Sequence, residues 1–265
     1  MRLFCFGLGY TALALARRYA GPVSGTVRSS EKQAALAAQG IDAQLFEAAR
    51  VPADTTHLLV SVPPDPEGDP VLRRFPSATA GWVGYLSTTG VYGDTGGAVV
   101  DETAPLNPTG ARQRARAAAE AAWRGSGLPV HVFRLGGIYG PARSAIDQVR
   151  AGRAIRIDRP GHVFSRIHVE DAATVLLASM ARPDPGAVYN LCDDEPAEPQ
   201  AVVAEACRLL GVAPPPLVAL EEADLSPMAR SFWTDNRRVS NARIKRDLGV
   251  VLRYPTYREG LRALI

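Results

Sequence analysis

Cysteine is scarce in this chain and shows no pairing pattern. The 265 residues include three cysteines, Cys5, Cys192 and Cys207, and no C-x-x-C motif occurs among them. An odd number of widely separated cysteines argues against a disulfide framework and against a zinc site. We therefore expect no bound metal, and we expect Cys5, which lies in the first apolar run, to be a small core residue.

Long apolar runs and a strong excess of one charge are also missing. No apolar run approaches the ~18 residues that a membrane span requires, and 30 basic against 27 acidic residues leave a net charge of +3. The N-terminal residues lack a signal-peptide pattern, because a glycine turn follows only a few apolar residues. These absences predict a cytoplasmic protein that binds neither nucleic acid nor membrane.

The most informative segment that is present is the G-x-G-x-x-A pattern of residues 7–12. It follows a short apolar run and opens a helical pattern, which is the arrangement of a dinucleotide-binding turn. Gly7 allows a tight turn, Gly9 lets a pyrophosphate approach the backbone, and Ala12 lets the helix pack close to the sheet. The amides and the positive dipole at the helix start then face the phosphates. The predicted binding residues of this turn are Gly7, Gly9, Tyr10, Thr11 and Ala12.

Strand and helix patterns alternate along the chain from its first residues. The predicted strands are 3–6, 23–27, 44–46, 58–62, 83–87, 130–135 and 188–191, and the clearest predicted helices are 112–123, 169–180 and 201–210. Repeated alternation of this kind favours a parallel sheet covered by helices on both faces. We therefore predict an α/β fold, a doubly wound parallel sheet of six or seven strands with a small C-terminal substrate lobe.

Five segments resemble, in order, the NAD(P)-dependent epimerase/dehydratase family, which is the extended branch of the short-chain dehydrogenase/reductase superfamily. They are the glycine turn, LSTTGVYG at 86–93, FRLGGIYGP at 133–141, IHVED at 167–171, and the closing stretches 240–249 and 254–261. The resemblance implies a Rossmann domain made of residues 1–141 and 166–192. Residues 142–165 and 193–265 would then form the substrate lobe, with a small-molecule substrate between the lobe and the carboxyl ends of the strands.

Arg28 bears on the choice between the two nicotinamide cofactors. An NAD site places an acidic residue about 20 positions beyond the glycines, where it binds the ribose 2′-hydroxyl. Here the second strand ends in Arg28, whose guanidinium would attract a 2′-phosphate with help from Ser29 and Lys32. The sequence thus predicts NADP in preference to NAD; the alternative is a solvated Arg28 and no preference.

The resemblance implies further cofactor contacts at the ends of two other strands. It places Ser61, Val62 and Pro63 beside the ribose and phosphates, and Gly136 and Gly137 beside the nicotinamide, with backbone groups available to its amide.

The resemblance also implies three catalytic positions, of which only one is retained. Thr88, with Ser87 beside it, fills the Ser/Thr position that orients the substrate oxygen. The family's Y-x-x-x-K pair falls on Arg112 and Arg116, which share a helix face and would both point at the cofactor. Arg116 could still hold ribose hydroxyls, but an arginine at position 112 cannot exchange a proton near neutral pH.

No tyrosine occurs between Tyr92 and Tyr139 to replace the missing one. Tyr92, Tyr139 or His168 could exchange the proton instead, with a packing role as the alternative for each.

Two functions stay open. One is an NADP-dependent oxidoreductase or epimerase on a small carbonyl or sugar-type substrate, with altered acid/base residues. The other is a non-catalytic NADP-binding sensor or regulatory protein. By analogy with the family, a homodimer is also expected.

Overall fold

A computed structural model describes residues 1–265, which form thirteen strands and ten α-helices. The strands are β1 (Leu3–Phe6), β2 (Val23–Val27), β3 (Asp42–Leu45), β4 (His57–Val60), β5 (Trp82–Thr88), β6 (Val99–Val100), β7 (Val130–Leu135), β8 (Gly137–Tyr139), β9 (Arg156–Asp158), β10 (Arg166–His168), β11 (Val188–Leu191), β12 (Leu217–Ala219) and β13 (Arg238–Val239). The helices are α1 (Tyr10–Ala16), α2 (Ser30–Ala37), α3 (Pro70–Arg74), α4 (Ala111–Arg124), α5 (Ala145–Arg150), α6 (Val169–Ala181), α7 (Pro199–Leu210), α8 (Pro227–Ser231), α9 (Ala242–Leu248) and α10 (Tyr257–Arg262). None of the helices is both long and apolar enough to cross a bilayer.

Seven of the strands form one parallel sheet in the order β11-β7-β5-β4-β1-β2-β3. The chain moves outward from β1 in one direction through β2 and β3, and then in the other direction through β4, β5, β7 and β11. This confirms the predicted doubly wound α/β fold. A crevice for a ligand lies outside the carboxyl ends of such a sheet where the strand order reverses, which here is between β1 and β4.

The sheet is covered on both faces, and its central strand β1 is apolar and buried at every position. In β1, the side chains of Leu3 and Cys5 join the larger core with α1, α6 and α9, whereas Phe4 and Phe6 join the opposite core with α4. Successive side chains of a strand point to opposite faces, so a continuous apolar run needs cover on both sides. Such a run is what the sequence offers at β1 and over residues 58–60 of β4.

Strands β1, β2, β7 and β11 have the predicted limits, and the other main strands differ from them by a few residues. The third strand is Asp42–Leu45 rather than 44–46, because a 3-10 turn begins at Phe46. The fourth strand ends at Val60 rather than at 62, ahead of the two prolines at positions 63 and 64. Pro63 and Pro64 cannot donate to a strand ladder, which is consistent with this earlier end.

The residues beyond β7 build a smaller lobe with its own core. Helices α5, α7 and α10 enclose it, and β9 pairs with β12 in a separate two-stranded sheet. The predicted division into two domains stays a prediction, but the packing does not follow it throughout. Ile244 and Leu248 of α9, which the sequence analysis assigned to the lobe, lie in the larger core of the sheet. Their helix therefore belongs with the sheet in its packing.

Candidate functional site

The turn between β1 and α1 requires glycine at position 7. Gly7 has a φ of +94°, and a Cβ atom placed there would lie 2.6 Å from Oγ of Ser61. The amide of Gly7 donates to Oγ1 of Thr26 at 2.9 Å, and the amide of Leu8 donates to the carbonyl of Thr26 at 2.7 Å. The end of β2 thus holds the turn, and any side chain at position 7 meets both steric and conformational strain.

Gly9, in contrast, borders empty space. No heavy atom lies within 4 Å of the position that a Cβ would take there. No side chain caps the start of α1, so the turn has both room and amides to offer to a phosphate group. Thr11 and Ala12 are buried against the neighbouring elements, whereas the hydroxyl of Tyr10 donates to the carbonyl of Pro141 at 2.9 Å.

The end of β2 presents an exposed cation. Arg28 is exposed and its guanidinium has no carboxylate partner. The hydroxyl of Ser29 accepts a hydrogen bond from the amide of Lys32 at 3.3 Å and so caps α2. Ser29 therefore starts the helix and retains one hydroxyl proton to donate, while Arg28 and Lys32 extend into solvent.

Ser61, at the end of β4, supports the glycine turn. Its hydroxyl donates to the carbonyl of Gly7 at 2.8 Å, so its proton holds the turn, while its predicted place beside the ribose and phosphates stays a prediction. Val62 lies beside the same glycine, 3.4 Å from the position of its missing Cβ, and Pro63 is exposed. Ser61 and Val62 therefore shape the turn, which is a role that their place in the sequence did not reveal.

The end of β7 approaches the lobe closely. A Cβ on Gly136 would lie 2.7 Å from the carbonyl of Ser165. The amide of Gly136 donates to Leu191 at 3.0 Å, and the amide of Gly137 donates to Ser165 at 2.9 Å. Both amides are therefore bonded within the protein, while the place of the two glycines beside a nicotinamide stays a prediction.

Thr88 and Ser87, at the end of β5, differ in what their hydroxyl groups can do. Oγ1 of Thr88 accepts a hydrogen bond from the amide of Gly90 at 3.1 Å, and its own proton has no acceptor within the protein. Ser87 is buried and donates to Oε2 of Glu120 at 2.9 Å. Thr88 can thus donate to a substrate oxygen, whereas the predicted catalytic assistance from Ser87 conflicts with its bond to Glu120.

Arg112 and Arg116 take different directions in the structure, contrary to the prediction from their spacing. Nη1 of Arg116 donates to the hydroxyl of Tyr85 at 3.2 Å and to the carbonyl of Leu86 at 3.1 Å, so this side chain lies against β5. Arg112 is exposed, and its guanidinium lies 5.9 Å from the ring centre of Phe232 in the lobe. Residues four apart leave the helix on the same face. The far ends of these long side chains are nevertheless placed by the residues that they contact in the folded protein.

A buried ion pair beneath the end of β5 was missed by the sequence analysis. Glu120 and Arg134 are almost completely buried, and their closest oxygen and nitrogen are 2.5 Å apart. Nη1 of Arg134 also donates to the hydroxyl of Tyr92 at 2.9 Å, which in turn donates to Oδ1 of Asn190 at 2.7 Å. Together with Ser87, these side chains form one hydrogen-bonded chain that links β5, α4, β7 and β11.

The residues that the sequence offered as replacement acids or bases are all held by the fold. Both hydrogen bonds of the Tyr92 hydroxyl lie in the buried chain. Tyr139 is buried, burial raises the pKa of its phenol, and its hydroxyl lies 3.5 Å from the carbonyl of Thr256. Nδ1 of His168 accepts a bond from the amide of Glu170 and caps α6, and burial lowers the pKa of His168 to about 4. None of these contacts leaves a proton donor beside Thr88.

Asp193, which follows β11, is a second feature that the sequence did not suggest. Its side chain is buried, its Oδ2 has no hydrogen-bond partner, and it lines a cavity of about 280 Å³ with Asn241 and Ser240. Burial raises the pKa of Asp193 to about 8, although the charge of Arg166 acts in the opposite direction. Asp193 is therefore largely protonated in the folded protein at neutral pH.

This burial predicts a pH-dependent stability. Between about pH 4 and pH 8 the folded protein keeps a proton on Asp193 that the unfolded chain, with an ordinary value of 3.8, releases. The free energy of unfolding contributed by this group therefore falls as the pH rises through that window. We expect Asp193→Asn to become progressively more stable than the wild type as the pH rises from 4 to 8, as measured by urea titrations at a series of pH values. The exposed Asp158→Asn should show no such gain, and parallel curves for wild type and Asp193→Asn would contradict the prediction.

Comparison with known proteins identifies relatives of unassigned function and a fold shared with epimerases. No protein-family model matches this chain. A conserved protein of unknown function from Silicibacter pomeroyi is 52% identical, with 99% of this chain and 97% of that chain covered and a TM-score of 0.92. Protein YeeZ of Escherichia coli K12 is 33% identical over 135 residues, which are 49% of this chain; the match spans only 47% of YeeZ, about half its length.

A more distant structure was solved with NADPH. The human epimerase family protein SDR39U1, solved with NADPH, is 16% identical, with 100% of this chain and 99% of that chain covered and a TM-score of 0.79. At this level of identity, the likeness concerns the fold. It spans the whole chain, the lobe included.

Proposed function

We propose that this protein binds NADPH and reduces a small carbonyl or sugar-type substrate. It belongs to one family with the Silicibacter pomeroyi protein, and it shares its fold with the NADPH-bound epimerase family protein. The observation that carries the proposal is the glycine turn at the reversal of strand order. Gly7 is required by its positive φ and its contact with Ser61, and Gly9 borders open space. These two features fit a diphosphate at the backbone.

The residues around this turn would hold the cofactor in a defined direction. The amides at the start of α1 receive the diphosphate, Arg28 receives the 2′-phosphate of the adenosine ribose, and Val62 borders the turn from β4. A bound nicotinamide supplies hydride-transfer chemistry to the cleft. Thr88 lies at the end of β5, where its free hydroxyl proton can donate to a carbonyl oxygen of the substrate and so stabilise negative charge that develops there.

The proton that completes the reduction comes from water or from the substrate in this proposal. Tyr92, Tyr139 and His168 are engaged in the fold, and Arg112 cannot exchange a proton. Loss of the tyrosine is tolerated better by a reductase than by an enzyme that must take a proton from its substrate. Thr88→Val then removes the only side-chain donor assigned to the substrate oxygen.

Arg28 provides the test of cofactor preference. We expect Arg28→Ala to weaken NADPH binding about 10- to 100-fold and to leave NADH binding within about twofold, because a charge-assisted fork to the 2′-phosphate is lost. Isothermal titration calorimetry measures both affinities. Arg124→Ala removes an equally exposed arginine from the end of α4 and serves as the control. Equal affinities of the wild type for NADPH and NADH would contradict the NADP preference, and no heat with either would contradict cofactor binding altogether.

A second candidate function is a non-catalytic NADPH-binding sensor. The observation in its favour is the absence of a free acid beside Thr88, together with Arg112 at the position where the family has its tyrosine. A turnover screen with NADPH and a panel of carbonyl compounds separates the two candidates. Turnover that falls in Thr88→Val supports the reductase. NADPH binding without turnover of any compound supports the sensor.

A further inference from the structure

The turn that follows β8 is under conformational strain. Ala142 has a φ of +60° and is the only residue other than glycine with a positive φ. Gly140 and Arg143, on either side of Pro141 and Ala142, exchange two backbone hydrogen bonds of 3.1 and 3.0 Å. A turn with proline in its second position and a positive φ in its third usually has glycine there. Strain of this kind persists only where the surroundings fix the backbone.

The residue that contacts this turn belongs to the segment that follows the glycine turn. The hydroxyl of Tyr10, the first residue of α1, donates to the carbonyl of Pro141 at 2.9 Å. A Cβ on Gly140 would lie 2.7 Å from that same hydroxyl. The start of the lobe therefore lies directly against the residue that follows Gly9.

Arg143 is the side chain that this arrangement brings to the glycine turn. Its guanidinium lies 5.6 Å from the ring centre of Tyr10. The side chain is exposed and takes part in no ion pair or hydrogen bond. The nearby carboxylate of Asp147 accepts instead from the hydroxyl of Ser144 at 2.5 Å. An unpaired guanidinium thus lies near the ring of Tyr10, the residue that follows Gly9 and its open space.

We propose that Arg143 is a binding residue for the diphosphate of the dinucleotide, supplied from the lobe and held over the glycine turn by Tyr10. The inference rests on the proposed function, because it assumes a dinucleotide at Gly9. A guanidinium presents a rigid fork of donors that suits two phosphate oxygens. The cation–π contact with Tyr10 favours side-chain positions near the glycine turn, so less entropy should be lost when the diphosphate binds. The lobe is in this way joined to the cofactor by a direct charge contact.

The test uses two ligands that differ in the diphosphate. NADPH carries both the diphosphate and the 2′-phosphate, whereas adenosine 2′-monophosphate carries the 2′-phosphate alone. We expect Arg143→Ala to weaken NADPH binding tenfold or more in calorimetry and to leave adenosine 2′-monophosphate binding within about twofold. Arg150→Ala, which removes an exposed arginine from the end of α5 in the same lobe, should leave both affinities unchanged.

The outcomes separate this inference from the function on which it rests. If the wild type binds NADPH and Arg143→Ala binds it with the same affinity, the role of Arg143 is overturned and the proposed function remains intact. An equal loss for both ligands overturns it as well, because the effect would then not involve the diphosphate. If the wild type binds neither NADPH nor NADH, the proposed function fails and this inference fails with it.

Discussion

Replacing Glu120 by alanine is expected to lower the free energy of unfolding by about 3–5 kcal/mol, because the substitution leaves the buried charge of Arg134 without its partner. Both side chains are 3% exposed or less, and the carboxylate receives three hydrogen bonds, two from Arg134 and one from Ser87. Water cannot replace these bonds without opening the packing between α4 and β7. Urea denaturation at neutral pH measures the loss.

Two further variants separate the charge from the packing. Replacing both residues, as Glu120→Leu with Arg134→Met, removes the pair without leaving an unpaired charge and should recover much of the lost stability. Asp247→Ala breaks the partly exposed pair with Arg243 on α9, and its effect should be much smaller, since solvent screens such pairs. A loss for Glu120→Ala no larger than that for Asp247→Ala would contradict the assigned role of the buried pair.

The sequence predicted those features of the fold that depend on local pattern. The apolar run at β1 and the mostly apolar segment at β7 predicted both strands to the residue. The spacing of Gly7 and Gly9 predicted a turn, and the structure confirms that this turn needs glycine at position 7. The fourth strand was predicted to continue two residues beyond its observed end at Val60, because Val62 extends the apolar pattern past Ser61 up to the two prolines. The local sequence pattern therefore predicted the strands and the glycine turn that position the site.

The sequence could not predict contacts that depend on partners distant in the chain. Glu120 served to align the helix with the family pattern, but nothing in the sequence pairs it with Arg134 or Ser87. Arg112 and Arg116 are four residues apart, and the prediction that they act together failed because one contacts β5 and the other contacts Phe232. Long charged side chains adopt the direction in which their guanidinium groups find partners, and only the tertiary structure supplies those.

Replacing Gly7 by valine is expected to abolish measurable NADPH binding, with an affinity loss of about 100-fold or more, and to lower the free energy of unfolding by about 2–3 kcal/mol. A β-branched residue is a conformational outlier at a φ of +94°, and its Cβ would enter the space of the Ser61 hydroxyl. The turn must move to relieve that contact, and its amides then lose their alignment with the diphosphate. Calorimetry and urea denaturation measure the two effects.

Gly9→Ala is the matched variant that separates cofactor binding from folding. Gly9 has a φ of −90°, which alanine adopts, and its Cβ would meet no protein atom within 4 Å. The free energy of unfolding should therefore change by less than about 0.5 kcal/mol. The added methyl group points into the space where the diphosphate would lie, so NADPH binding should still weaken by about tenfold or more. Because the fold does not require glycine at position 9, normal NADPH affinity in Gly9→Ala would contradict the proposal that the diphosphate binds at the glycine turn. The roles assigned to Arg28 and Arg143 would then lose their physical basis.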